Sequence, residues 1–321
     1  MPSTSGRVTL WGMEVFVATA EEASISAAAR RLGASAATVS QQLSNLEGAI
    51  GTTLLDRGAR PVTLTPAGEM FLRRANTILN EAEQALAELA MADLSRLTRL
   101  RLGMIEDFDA DVTPTLLREM SRDLKNCHFL LETGASHELL DLLDTRALDV
   151  IVAAGVAQNS DGMEVYPLLE EPFVAAVPKG TIRDNDLARQ LRRLPLIQYT
   201  TRHFMGRLIA DHLKDQHVVS NGRFELDSYH AIMAMIADRS GWSILTPLAV
   251  MRAARFRDHV DLYPLPFAPL TRTISLTARK DVLSTMPATL ATRLKPLLAE
   301  MIVGPAVSRY GWMADQLRVL A

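Results

Sequence analysis

Ser35, Ala36, Ala37, Thr38, Ser40, Gln41, Gln42, Ser44 and Asn45 put hydroxyl, amide and methyl groups on one short stretch, and no acidic residue falls between Leu32 and Leu46. Hydroxyls and amides both donate and accept, so such a run suits the edges of bases and the oxygens of phosphates. Arg30, Arg31, Arg57 and Arg60 flank it, and a guanidinium is a planar fork matched to phosphate. A solvated polar helix face with scattered surface arginines has the same pattern, so the residue types alone leave both readings open.

A second set of polar and aromatic groups falls on four loops further along. They are Ile105, Glu106, Asp107 and Phe108, then Thr133, Gly134 and Ser136. Tyr199, Thr200, Arg202, His203 and Phe204 follow, and last Asp227 and Ser228. Each loop lies where a strand gives way to a helix, which is where small molecules bind in open α/β sheets. Thr133, Ser136, Thr200 and Ser228 are small donors near helix N-termini, suited to a carboxylate. Arg202 is the cation to pair with it, and Tyr199, Phe204 or Trp242 suit the walls of an apolar pocket. Glu106, Asp107 and Asp109 oppose an anion; they favour an amine-bearing ligand, or simply cap a helix beginning near Asp111. The small molecule therefore reads as an organic acid or an amine, and for each residue a plain role as loop cap or core wall stays open.

Other chemistry finds little support. His128 and His137 are separated by a strand and a turn, and His212 and His217 are not at the i, i+4 spacing that puts two ligands on one helix face. Cys127 is the only cysteine, which excludes an internal disulfide and a cysteine metal cage. No glycine-rich phosphate loop and no nucleophile elbow is present. The expectation is no catalytic residues, no metal and no cofactor.

The elements that must position these groups follow from hydrophobic period. Leu10, Met13, Phe16, Val17 and Ala20 recur at helical spacing. Ser24 is an N-cap for a short alanine-rich helix to Leu32, and Ser35 caps a third helix carrying Val39, Leu43, Leu46 and Ile50. Two short helices joined by Gly33-Ala34-Ser35 form a helix-turn-helix. Short extended pieces around Thr53–Arg57 and Pro61–Leu64 make a wing, and Thr65-Pro66 opens a long helix to about Leu94. Its stripe of Phe71, Ala75, Ile78, Ala82, Ala85, Leu86 and Leu89 implies a partner helix and hence a dimer. After Arg99 the pattern changes to alternating strands and helices, with crossovers near Glu170–Pro172 and Ala268–Thr271, as in two small α/β lobes. Val307, Tyr310, Met313, Leu317 and Leu320 mark the tail as a short amphipathic helix.

The length of 321 residues fits about two domains, and 48% hydrophobic with 22% charged residues is ordinary for a soluble globular protein. No apolar run is long enough to span a membrane and no signal peptide is visible, so the expected location is cytoplasmic. Net charge is −3, and up to Gly68 five arginines balance five acidic residues. Any DNA-binding segment here is neutral, and occupancy then relies on several copies bound together.

Taken together, Ser24-Ile-Ser-Ala-Ala-Ala-Arg-Arg-Leu32, Val39-Ser40, Leu46-Glu47, Gly51-Thr-Thr-Leu54, Arg57 and Leu64-Thr65-Pro-Ala-Gly68 resemble the LysR-type transcriptional regulators. Leu148-Asp149-Val150 and Gly241-Trp-Ser-Ile-Leu-Thr-Pro247 are weaker echoes of the same family. The resemblance implies an α+β chain. It would have a winged helix-turn-helix at 8–65, a linker helix at 66–94 and a two-lobed, periplasmic-binding-protein-like effector domain at 95–304. Lobe I would take about 99–169 and 271–304, lobe II about 170–270, and 305–321 would be an extension. It implies a double-stranded DNA operator, a small-molecule effector and a homodimer or tetramer. Ala36 stands where the family usually has Gln, and Gln41 where it often has Arg, which shifts base reading toward Thr38 and Gln41. The alternatives are a constitutive DNA-binding regulator with a structural C-terminal part, a solute-binding protein, or an enzyme on the same fold.

Overall fold

The computed structural model describes residues 7–90, 97–155, 160–183, 186–218, 222–280 and 282–321, without the side chains of 80 and 83–90. The chain divides into two compact units, the first ending at Ala90 and the second holding nearly all of the rest.

The first unit contains α1 (Leu10–Glu22), α2 (Ile25–Arg31) and α3 (Ala36–Ile50), then β1 (Leu55–Asp56), β2 (Thr63–Leu64) and α4 (Pro66–Ala90). Hydroxyl caps set three of the helix starts: Thr9 accepts from the Gly12 amide, Ser24 from Ala27 and Ser35 from Thr38. Thr65 does the same for α4, its Oγ1 accepting from Gly68 at 3.0 Å. Phe16, Val39, Leu43, Leu54 and Ala75 are among the buried residues of one core, and Ala28 and Ala29 let α2 pack closely. The hairpin β1–β2 is a two-residue wing, shorter than the extended pieces expected. A Cβ at Gly68 would lie 2.0 Å from the Leu54 carbonyl, so only glycine lets α4 pass so near the wing. The α4 stripe is partly used at home: Phe71 packs on Phe16 with ring centroids 5.5 Å apart, and Ala75 is buried. Ile78 remains exposed; the side chains of Ala85, Leu86 and Leu89 and the expected helix end at Leu94 lie outside the described residues.

The second unit has two lobes. In the first, β3 (Arg99–Ile105), β4 (His128–Gly134) and β5 (Val150–Ala154) are parallel, with helices α5 (Val112–Asp123) and α6 (Ser136–Asp144) in the connections. β6 (Met163–Pro172) then leads out to β7 (Val174–Pro178), α7 (Leu187–Leu191), β8 (Leu196–Tyr199) and α8 (Phe204–Asp215) of the second lobe. That lobe continues with β9 (Gly222–Leu226), α9 (Tyr229–Ala237), β10 (Ser243–Leu245), α10 (Pro247–Arg252), α11 (Ala254–Arg257) and β11 (Val260–Pro264). β12 (Thr271–Arg279) returns to the first lobe and is followed by α12 (Met286–Leu298), α13 (Gly304–Arg309) and β13 (Arg318–Val319). The large sheet runs β13-β6-β12-β5-β3-β4, while the second lobe has β10-β7-β11 and β8-β9.

Two features differ from the sequence expectation. β6 was not expected as a strand, yet it pairs along its length with β12. The tail is not one amphipathic helix. A π-helical turn over Ala299–Val303 carries α12 into α13, and the chain ends as an edge strand antiparallel to β6. Met313 and Leu317 are fully buried, so the open edge of β6 gives this apolar segment a home that helical spacing does not reveal.

Arg101 and Asp149 form a buried ion pair in the first lobe, with Nη2 to Oδ1 at 2.5 Å and Nε to Oδ2 at 3.1 Å. Asp149 also accepts from the Arg101 amide, stitching the start of β5 to β3. Removing one partner leaves a buried charge unpaired, which costs about 3–5 kcal/mol. Asp149→Ala is therefore expected to lower unfolding free energy by that amount in denaturant titration, whereas replacing both residues with apolar ones recovers most of it.

Candidate functional site

On the first unit, Val39, Leu43 and Leu46 anchor α3 in the core, which turns the opposite face outward. Ser35, Ala36, Ala37, Thr38, Gln41, Ser44 and Asn45 are exposed there, while Ser40 and Gln42 are half-buried. Ser35 is spent on capping. Gln41 donates to Asn45 Oδ1 at 2.9 Å, which holds these two amides together one turn apart. The arginines separate by environment. Arg31 is tied to Glu21 and Glu22, whereas the exposed side chains of Arg30 and Arg60 have no ion-pair partner among the described residues.

Arg57 is held by Glu47 Oε2 at 2.5 Å and donates to Ser44 Oγ at 3.1 Å. Glu47 Oε1 accepts from the amides of Leu54 and Leu55 as well. One carboxylate thus fixes the wing, the arginine and the end of α3 in a single arrangement. Glu47 was not among the candidate residues; its place three residues after Ser44 and four before Gly51, which closes α3, was the available signal.

On the second unit, a cleft of about 610 Å³, open to solvent, lies between the lobes. The first lobe contributes Ile105, Glu106 and Asp107 after β3, and Gly134 and Ser136 after β4. The second contributes Tyr199, His203 and Phe204 with Asp227. His137, Tyr229, Met205, Ala135 and Arg272 also line it, and sequence reasoning missed them. The His137 and His203 rings stand 5.2 Å apart, bringing the two lobes together across the cleft. A Cβ at Gly206 would sit 1.9 Å from the Thr200 carbonyl, so glycine lets α8 start hard against the Tyr199 loop.

Other candidates are placed elsewhere. Phe108 is wholly buried in the core. Thr133 is exposed outside the lining, and Ser228 stands before α9 without a side-chain capping bond. Thr200 gives its hydroxyl to Glu225 at 2.7 Å. Arg202 is 79% exposed and 3.9 Å from Asp227. Trp242 lines a different cavity, within the second lobe, beside Leu191, Leu196 and Phe267.

The floor of the cleft is a buried charge group. Arg272 donates to Glu171 Oε1 at 2.6 Å and to Asp107 Oδ2 at 2.9 Å. Glu171, wholly buried, also accepts from the Leu248 amide at the start of α10. Burial pushes the Glu171 carboxyl up to about 7, with Arg272 pulling the other way and Asp107 reinforcing the rise. Burial likewise raises the Tyr229 phenol to about 12, and Asp107 adds to it.

Two family models match this chain: the bacterial regulatory helix-turn-helix protein of the lysR family over residues 10–69, and the LysR substrate binding domain over residues 95–296. The chain belongs to the LysR family of transcriptional regulators. Among its LysR relatives, a probable hydrogen peroxide-inducible genes activator of Mycobacterium xenopi is 34% identical over 180 residues, 56% of this chain and 95% of that one. A full-length OxyR variant from Pseudomonas aeruginosa has a similar fold, with TM-score 0.64 at 24% identity over 90% of this chain and 95% of that one. The fold is also shared with CbnR in complex with its target DNA, with TM-score 0.61 at 20% identity, covering 90% of this chain and 100% of that one.

Arg272 provides a test of the charge group. Because Glu171 binds its proton more tightly folded than unfolded, its contribution to stability falls as pH rises from about 4.5 through about 7. Arg272→Met removes the cation that opposes this shift and leaves two carboxylates facing each other. The variant is expected to melt lower than the parent, with a deficit that widens from pH 5 to pH 8 in calorimetry. A deficit independent of pH would contradict the assignment.

Proposed function

We propose that this LysR-family member is a ligand-responsive transcription factor, with α3 entering the major groove of an operator and a small molecule occupying the cleft between the lobes of the second unit. The observation that carries this reading is the pairing, in one chain, of a capped helix-turn-helix with an exposed amide and hydroxyl face and a two-lobed unit with a polar, aromatic-lined cleft. Thr38, Gln41, Gln42 and Asn45 serve as base readers, with Ala36 and Ala37 offering methyl contacts. Arg30 and Arg60 serve as phosphate contacts, and Arg57 with Ser40 and Ser44 sets the wing against the backbone. α4, at 25 residues about 37 Å long, pairs two copies through the face bearing exposed Ile78. No helix among the described residues is long and apolar enough to cross a membrane, and the location that fits is the cytoplasm. A regulator without catalytic activity is the accompanying reading, as befits a family of transcriptional regulators.

The DNA face is tested by Gln41→Glu, which places a negative charge on α3 without touching its core. Operator affinity in mobility-shift titration is expected to fall by about 1–3 kcal/mol, with an unchanged melting temperature. Unaltered affinity would remove α3 from the interface.

The relatives named for peroxide induction raise the question of a thiol sensor. Cys127 is the sole cysteine, and burial, reinforced by Asp149, pushes its thiol up to about 11. A thiol so far from ionising is a poor nucleophile toward peroxide. Cys127→Ser is expected to leave operator binding and its response to ligand intact; loss of a peroxide response in that variant would overturn the small-molecule reading.

A further inference from the structure

The charge of the cleft narrows the ligand, on the premise that the cleft is the effector site. Its lining holds the carboxylates of Glu106, Asp107 and Asp227 against one guanidinium, that of Arg272. Arg272 is already engaged by Asp107 and by Glu171 behind it. Asp109 and Asp111 lie against Arg252, and Asp227 faces the exposed Arg202. Glu106 is different: its side chain makes no hydrogen bond and no ion pair among the described residues.

The surrounding groups register the same imbalance. Burial, Asp107 and Asp109 raise the Glu106 carboxyl above its ordinary range, and the His230 imidazole offsets this only in part. The phenols of Tyr199 and Tyr229 are raised by burial first and then by Asp107, with Glu106 adding to both. These three side chains come from both lobes, so the negative field belongs to the cleft and not to one loop.

Two of the groups that would welcome an anion, the Ala135 amide and the Arg272 guanidinium, already meet carboxylates. The Ala135 amide at the head of α6 donates to the Glu138 carboxylate at 3.0 Å, which sets a negative charge beside the Ser136 hydroxyl. An anion reaching Arg272 would have to displace Asp107 and leave that carboxylate unpaired in the interior, at a cost the pairing now avoids.

We infer that the cleft takes an effector bearing a cationic nitrogen, an alkylammonium or a guanidinium, whose charge is met by Glu106 while the Tyr199 and Tyr229 rings line the same space. An ammonium against a carboxylate in a partly desolvated cleft makes strong charge-assisted hydrogen bonds. Aromatic faces attract the same charge.

The test uses the full chain, thermal-shift measurements and calorimetric titration. The probes are putrescine, agmatine and choline, with 1,4-butanediol, succinate and benzoate as matched neutral and anionic compounds. At least one amine is expected to stabilise the protein while butanediol and the acids do not. Glu106→Gln is expected to weaken that binding tenfold or more, and Glu300→Gln, on a distant exposed acid, to leave it unchanged. Stabilisation by succinate or benzoate without any amine response overturns the cationic assignment and keeps the cleft as effector site. Amine binding that survives Glu106→Gln overturns the role of Glu106. No response to either class overturns both the cationic assignment and the effector reading on which it rests.

Discussion

A guanidinium taken out of water must be paired, and the position of Arg272 turns that requirement into the geometry of the second unit. Its partners come from distant segments: Asp107 follows β3, Glu171 lies on β6, and Arg272 itself begins β12. β6 and β12 are the strands on which the chain leaves and re-enters the first lobe, paired along their length. The Leu248 amide brings the start of α10 to the same carboxylate. Both crossings and both lobes therefore converge on one buried charge group, and its members cannot shift independently without stranding a charge in the interior.

That convergence decides what the cleft can offer. Because Asp107 and Glu171 consume Arg272, the cation nearest the cleft floor is neutralised by the protein itself. Arg252 is shared by Asp109 and Asp111, so one cation from the second lobe meets two of the acids that follow β3. What remains at the surface is Glu106. A cleft whose strongest groups are pre-paired has well-placed walls, and its selectivity then comes from the few groups left unpaired. If ligand and empty forms differ in lobe separation, the ligand must favour one of them in free energy. A residue that gains a partner only when the cleft is filled supplies such a difference.

The DNA-binding head was legible in the sequence because its determinants are local. Ser24, Ser35 and Thr65 each cap a helix within three residues of themselves, and Val39, Leu43 and Leu46 declare their buried face by spacing alone. The cleft was legible only as a set of loops. Thr200 looked like a free donor until Glu225, paired to its strand from another segment, took its hydroxyl. Arg272 was missed because its partner Asp107 lies 165 positions away. A signal did exist: Arg272 shares its strand face with Ile274, Leu276 and Ala278, all buried, and a charge in that register demands a buried partner. The tail misled for the converse reason. Met313 and Leu317 do need burial, but the free edge of β6 that supplies it is a property of the assembled sheet.

The head itself is neutral, and this constrains how a LysR-family protein of this composition holds an operator. Five arginines to Gly68 match five acids, and two of those arginines are already committed. Arg31 answers Glu21 and Glu22, and Arg57 answers Glu47. The counterion release that drives non-specific DNA binding scales with the phosphates neutralised, and of these five only Arg7, Arg30 and Arg60 are without an ion pair among the described residues. Joining heads changes the arithmetic: once one is bound, the second acts at the effective concentration set by its tether, and the two weak affinities multiply. A stiff helix such as α4 makes that concentration depend on geometry. Weak single heads thus make operator occupancy sensitive to how the copies are assembled, which is the lever a ligand in the second unit needs.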